Sequence, residues 1–125
     1  MAARSTLVIF QNLTGETLSL TNAKLDHGVW TQNMYPPEKV SPDDKVQWAS
    51  ESDGFMTGTE GSVTYHCTDG SVYIHWDNPY IGGNSYSDQA PDGYEITRSG
   101  GSGDNATVTF VLQKKTDVKK TIERR

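Results

Sequence analysis

Cysteine is almost missing from this 125-residue chain; Cys67 is the only one. An internal disulfide is therefore impossible, and so is a paired-thiolate zinc or redox motif. Long apolar runs are missing as well. Nothing approaches the ~20 apolar residues that a membrane-spanning helix needs. The first residues, Met1-Ala2-Ala3-Arg4-Ser5, run straight into a strand-like segment and carry no secretory leader pattern. No segment has a convincing helical pattern, which leaves no amphipathic N-terminal helix to insert into a bilayer. Basic charge is scarce over most of the length. The chain carries −5 overall, but residues 113–125 hold six Lys/Arg against Asp117 and Glu123, so this tail is +4 and the first 112 residues are −9. An acidic body argues against nucleic acid as a partner, because neutralising phosphates needs a basic surface.

What is present is glycine, turn chemistry and period-two alternation. The length suits one domain with a core that needs no staples. Residues 1–112 are expected to form it, with 113–125 as a basic C-terminal tail, solvated or touching anionic head groups. Thr6–Asn12 reads as a central strand. Thr17–Asp26 reads as its hairpin partner, with an irregularity near Asn22-Ala23. Val29–Gln32 is a short strand, and the prolines at 36, 37 and 42 make residues 35–44 an extended loop. Lys45–Ser50 resumes a strand, with Val46 and Trp48 on one face. In the crossing that follows, Phe55-Met56 is expected to tuck under the sheet, since exposure forgoes apolar burial. Glu60 is expected to accept buried backbone donors. Ser87–Asp92 reads as a loop, Tyr94–Arg98 as a strand and residues 99–105 as a hairpin tip. Ala106–Gln113 closes the sheet with Val108, Phe110 and Leu112 on one face. About eight strands and no helix give an all-β fold, a two-layer antiparallel β-sandwich.

The chain is organised around Ser50–Tyr86. Ser62–Cys67 and Ser71–Asp77 flank Thr68-Asp69-Gly70, a strong hairpin signal. With Asp69-Gly70 as the loop, Cys67 pairs with Val72, Tyr65 with Ile74 and Val63 with Trp76, and these six share the apolar face. Pro79 ends the second strand near Asn78. The loop after it carries Tyr80, Ile81 and Tyr86, too apolar for an idle solvent loop. Aromatics on a loop held by a rigid hairpin suit contact with something amphipathic.

Catalysis has little support. His66 and Cys67 are neighbours, so alternation sends them to opposite faces, and no G-x-S-x-G elbow exists. An enzyme is not expected. His66 and His75 share a face but lack a third ligand, with His27 joining only by an accident of folding, so neither a metal nor a cofactor is expected. A weaker alternative is calcium held by Asp77, Asn78 and Asp88, with Asn84 nearby, because oxygen ligands on irregular loops suit that ion. The sequons at Asn12 and Asn105 are expected to be unused.

Thr57-Gly58-Thr59-Glu60-Gly61, followed by a strand and then by Trp76-Asp77-Asn78-Pro79-Tyr80, resembles the aegerolysin family, whose members carry S/T-GTEG and W-D-C-P-W-G segments. Asn12 in the first strand, Gly28-Val29-Trp30 and the last strand also fall in similar places, so the likeness spans roughly residues 6–112. Pro79-Tyr80 with Tyr86 is more distantly similar to the P-Y loop of actinoporin-like sandwiches. The resemblance implies a membrane-lipid-binding sandwich, in some members the targeting half of a two-component, haemolytic or pore-forming toxin. Asn78 stands where the family has cysteine and Tyr80 where it has tryptophan, so lipid preference does not carry over. On this reading Trp76, Pro79, Tyr80, Asn84 and Tyr86 form or support a site for a choline- or phosphate-bearing head group. Tyr80 and Tyr86 contact it, Pro79 shapes the loop and Trp76 braces it from behind; Trp30, Trp48 and Tyr94 are second-tier candidates. The protein would be cytoplasmic or exported by a non-classical route, acting at membranes. The rival reading is a lectin or haemagglutinin-like carbohydrate-binding module.

Overall fold

The computed structural model describes residues 2–115. Ten strands follow in chain order: β1 (Ser5–Leu13), β2 (Leu18–His27), β3 (Val29–Trp30), β4 (Lys39–Val40), β5 (Lys45–Glu51), β6 (Thr59–Cys67), β7 (Gly70–Asn78), β8 (Ser85–Gln89), β9 (Tyr94–Gly100) and β10 (Asn105–Lys114). They form two five-stranded sheets, β3-β5-β1-β10-β9 and β4-β2-β6-β7-β8, packed as an all-β sandwich. β10 runs to Lys114, past residue 112; residues 116–125 of the basic tail lie outside the described residues.

The core forms where the inward faces of the two sheets meet. Val8, Phe10, Trp48, Val108, Phe110 and Leu112 come from one sheet, and Leu18, Val63, Tyr65, Val72, Ile74 and Trp76 from the other. Their period-two spacing is what a half-buried sheet imposes. Aromatic rings bridge the layers: Phe10 stacks on Tyr65 at 5.9 Å between centroids, and Trp48 meets Trp76 at 6.3 Å.

Several expectations need correction. β1 and β2 are not a hairpin, since they lie in different sheets, and β1 pairs instead with β5 and with β10. The pairing with β10 is parallel, so the sandwich is antiparallel in all pairs but that one. The short β4 interrupts the proline loop. β8 replaces part of the expected loop at 87–92 and carries Tyr86. The central hairpin turns at Thr68-Asp69, with Cys67 opposite Gly70, Tyr65 opposite Val72, Val63 opposite Ile74 and Gly61 opposite Trp76. Gly70 takes the positive φ of +140° and closes the loop rather than sitting at its centre. Moving the loop by one residue slides the pairing by two, and an even slip keeps every side chain on its face. The six apolar residues therefore remain buried despite the changed register.

The β6–β7 ladder also explains why two short motifs distant in sequence form one unit. Thr59 pairs with Asn78, Glu60 with Asp77 and Gly61 with Trp76, so residues 59–61 and 76–78 lie rung against rung. Gly58, just before, sits against the backbone of Asn78, Pro79 and Tyr80; a Cβ there would come within 2.7 Å of Pro79 Cα. Only glycine permits that approach.

Candidate functional site

One end of the sandwich gathers the residue 2–4 segment, the β5–β6 loop, the β7–β8 loop and the β9–β10 tip. Arg4 clamps the β7–β8 loop. Its guanidinium donates to the Pro79 carbonyl at 3.4 Å and the Tyr80 carbonyl at 2.8 Å, and lies 4.6 Å from the Tyr80 ring centroid. Asp104 is 3.6 Å from Arg4 Nε. Tyr80 is half-buried and borders two hollows. One, of about 420 Å³, is lined by Ala2, Ser52, Phe55 and Met56 among others; the second, of about 330 Å³, by His27, Thr57, Glu60 and Asp77 among others.

Phe55 and Met56 do not tuck under the sheet. Phe55 is 90 % exposed and Met56 53 %, and Ile81, next to Tyr80, is 82 % exposed. Met56 has φ +58°, a left-handed conformation costing a non-glycine residue about 1 kcal/mol or more. The neighbouring turn is fixed by the Thr57 hydroxyl donating to the Gly54 carbonyl. The chain thus holds two large apolar side chains outward in a conformation the sequence pattern does not reveal.

The other candidate residues divide. Trp76 is fully buried, its indole N–H donating to Ser50 Oγ at 2.9 Å, so it can brace a site but not touch a ligand. Tyr86 packs edge-on against Phe110 and spends its hydroxyl on the Gly101 carbonyl at 2.7 Å, with Arg98 5.1 Å from its ring centroid. Burial pushes its phenol above the ordinary range, against the opposing effects of the Asn84 hydrogen bond and Arg98. Asn84 donates to the Gly101 and Gly103 carbonyls, tying the loop to the β9–β10 tip. Tyr86 and Asn84 border a third hollow of about 410 Å³ with Arg98 and the glycine-rich tip. None of these three hollows is lined by both Tyr80 and Tyr86. Trp48 and Tyr94 are core residues, and Trp30 packs on Trp76 at 5.9 Å.

The calcium set does not converge. Asn78 is buried and donates to the Ser5 and Asp104 carbonyls, while Asp77, next along β7, points to the opposite face. Asp88 lies opposite Ile74, on the Tyr86 side of β8. Burial raises the Asp77 carboxyl above its ordinary range, with Glu60 adding to the effect and His75 opposing it; burial also raises Asp88, opposed by Arg98.

The histidines are rearranged relative to expectation. His66 lies opposite Ser71, and His75 lies four residues further along β7, opposite Ser62. That is about 13 Å at 3.3 Å per residue. His75 instead meets Glu60, Nε2 to Oε2 at 2.8 Å, and His27 Nε2 lies 3.8 Å from Glu60 Oε1. Glu60 is half-buried and takes these imidazoles rather than buried backbone donors. Cys67 is buried and His66 exposed, as alternation requires. Asn12 is fully buried, which closes its sequon to a glycan, whereas Asn105 is exposed.

Comparison with known proteins places these features in a context. The family model described as Aegerolysin matches residues 3–115. An uncharacterized protein of Dictyostelium discoideum is 27 % identical over 113 residues, which is 88 % of this chain and 10 % of that protein. The chain thus spans about a tenth of the length of that relative. The crystal structure of the lipid binding protein Nakanori superposes with a TM-score of 0.80 at 15 % identity, over 90 % of this chain and 72 % of that one. At that identity the likeness is one of fold.

Proposed function

The chain belongs to the aegerolysin family, and from that premise we propose that it binds membrane lipid without catalysis, docking through the end that carries Phe55, Met56, Tyr80 and Ile81. The observation that carries this reading is the outward presentation of Phe55-Met56 beside Tyr80. Exposed apolar side chains on a loop whose backbone is held in a costly conformation suit insertion between lipid head groups. The phenol of Tyr80, in a loop clamped by Arg4, is placed to meet a phosphate- or choline-bearing head group by hydroxyl and ring contacts. Tyr86 and Asn84 support the loop through their bonds to the β9–β10 tip, Pro79 shapes it, and Trp76 braces it from the core. Described in this way, the protein is a recognition element, and any haemolytic action belongs to a second, pore-forming protein.

Co-sedimentation with vesicles of varied sphingolipid and glycerophospholipid head group, with and without calcium, tests the proposal. Burying a phenylalanine contributes about 1.5–3 kcal/mol, so Phe55→Ser is expected to weaken vesicle binding by about tenfold or more. Met56→Ser is expected to act in the same direction, and both exposed sites leave the fold intact. Retention on a glycan array without any vesicle pelleting would favour the carbohydrate reading instead.

A further inference from the structure

Two adjacent residues of β2, Asp26 and His27, both approach Glu60 of β6. In a regular strand, consecutive side chains leave on opposite faces. Here the β2–β6 register slips between Leu25 and His27, and such a bulge re-aims side chains that alternation would separate. His75 of β7 completes the group. Ligand atoms of Asp26, Glu60 and His75 all lie within 4.8 Å of one another, and His27 Nε2 is 3.8 Å from Glu60 Oε1. We propose that these four residues, Asp26, His27, Glu60 and His75, form a binding site for a divalent transition-metal ion, zinc by preference.

The donor set argues for that ion class. Two imidazoles with two carboxylates suit zinc, whereas calcium and magnesium take oxygen donors almost exclusively. Bonds of about 2.0–2.1 Å in a tetrahedron put neighbouring donor atoms about 3.3 Å apart. The 2.8 Å between His75 Nε2 and Glu60 Oε2 is already near that edge, and His27, 3.8 Å from the other Glu60 oxygen and with 71 % of its side chain exposed, is free to close in. Charge points the same way. Asp26, Glu60 and Asp77 converge on this patch, while Lys24, 3.6 Å from Asp26, is the lone lysine paired there among the described residues. A divalent cation offsets the remainder. Ser62, opposite His75 and two residues from Glu60, is buried with its hydroxyl unpartnered among the described residues, so polar capacity beside the cluster is unused. His27 and Glu60 also line the hollow of about 330 Å³ that Tyr80 borders, but the donor geometry does not depend on lipid entering it.

The test is calorimetric titration of the full chain with zinc chloride after dialysis against chelator. One zinc per chain is expected. Glu60→Gln and His75→Gln should each weaken it by at least about tenfold, and His66→Gln should leave it unchanged. The exposed Asp26→Asn serves as a further variant whose folding is safe, and it should weaken binding with the near-ultraviolet dichroism unaltered. Absence of saturable binding overturns the proposal. So does binding that survives Glu60→Gln, His75→Gln and Asp26→Asn, or that is lost in His66→Gln; in either case Glu60 and His75 form only a hydrogen-bonded pair.

Discussion

Asn12 lies fully buried, and its amide ties three segments together. Nδ2 donates towards the carbonyls of Glu16, Val40 and Ser41, and Oδ1 accepts from the Thr14 N–H and hydroxyl. Asn12→Ala leaves buried polar groups without partners, each costing about 1–3 kcal/mol. The variant is expected to lose about 3 kcal/mol, read as a lower urea midpoint with unchanged slope. Glu16, nearby, makes a different contribution. Its carboxylate accepts the Thr68 backbone N–H at 2.7 Å, which lowers its pKa below the ordinary 4.5; burial opposes this, while Tyr94 and Lys114 assist. A depressed carboxylate pKa stabilises the fold above the unfolded value, and that stability is lost as pH falls through the folded value. Glu16→Gln should therefore be less stable than the parent at neutral pH, with the gap closing in acid, as pH falls below the ordinary carboxylate value. Urea titrations at neutral and acid pH check it.

At the scale of elements, the alternating strands were legible because burial on one face leaves a period of two. β1, β5, β6, β7, β9 and β10 fall where Val8, Trp48, Val63, Ile74, Tyr94 and Phe110 place them. Of the four edge strands, β4 and β8 were not legible. β4 has two residues, and β8, Ser-Tyr-Ser-Asp-Gln, is polar enough to read as a loop. The partition of β1 and β2 between sheets is a tertiary choice that local turn chemistry does not encode. The candidate site was half legible. Tyr80 and its loop were evident from composition, but the outward turn of Phe55-Met56 depends on a positive φ at Met56, and the Asp26–Glu60–His75 cluster depends on a bulge and a strand pairing. Gly58 joins the two motif-bearing segments. Gly58→Ala forces Asn78 and Pro79 aside, at about 1–3 kcal/mol for overpacking. The expected result is a lower melting temperature together with weakened vesicle binding, measured on the same preparation.

For the whole molecule, the parallel β1–β10 pair sets a direction. Ser5 lies opposite Asn105 at the end carrying Arg4 and Tyr80, and Leu13 lies opposite Gln113 at the other. Ten residues of β10 span about 33 Å. The described residues therefore begin beside the loops proposed to dock and reach Lys115 at the far pole. A fluorescent protein fused ahead of Met1 should therefore lower vesicle pelleting severalfold. Seated as proposed, the molecule stands on the bilayer like a post, with residues 2–4 wedged at the foot and Lys115 at the top, facing the surrounding solution.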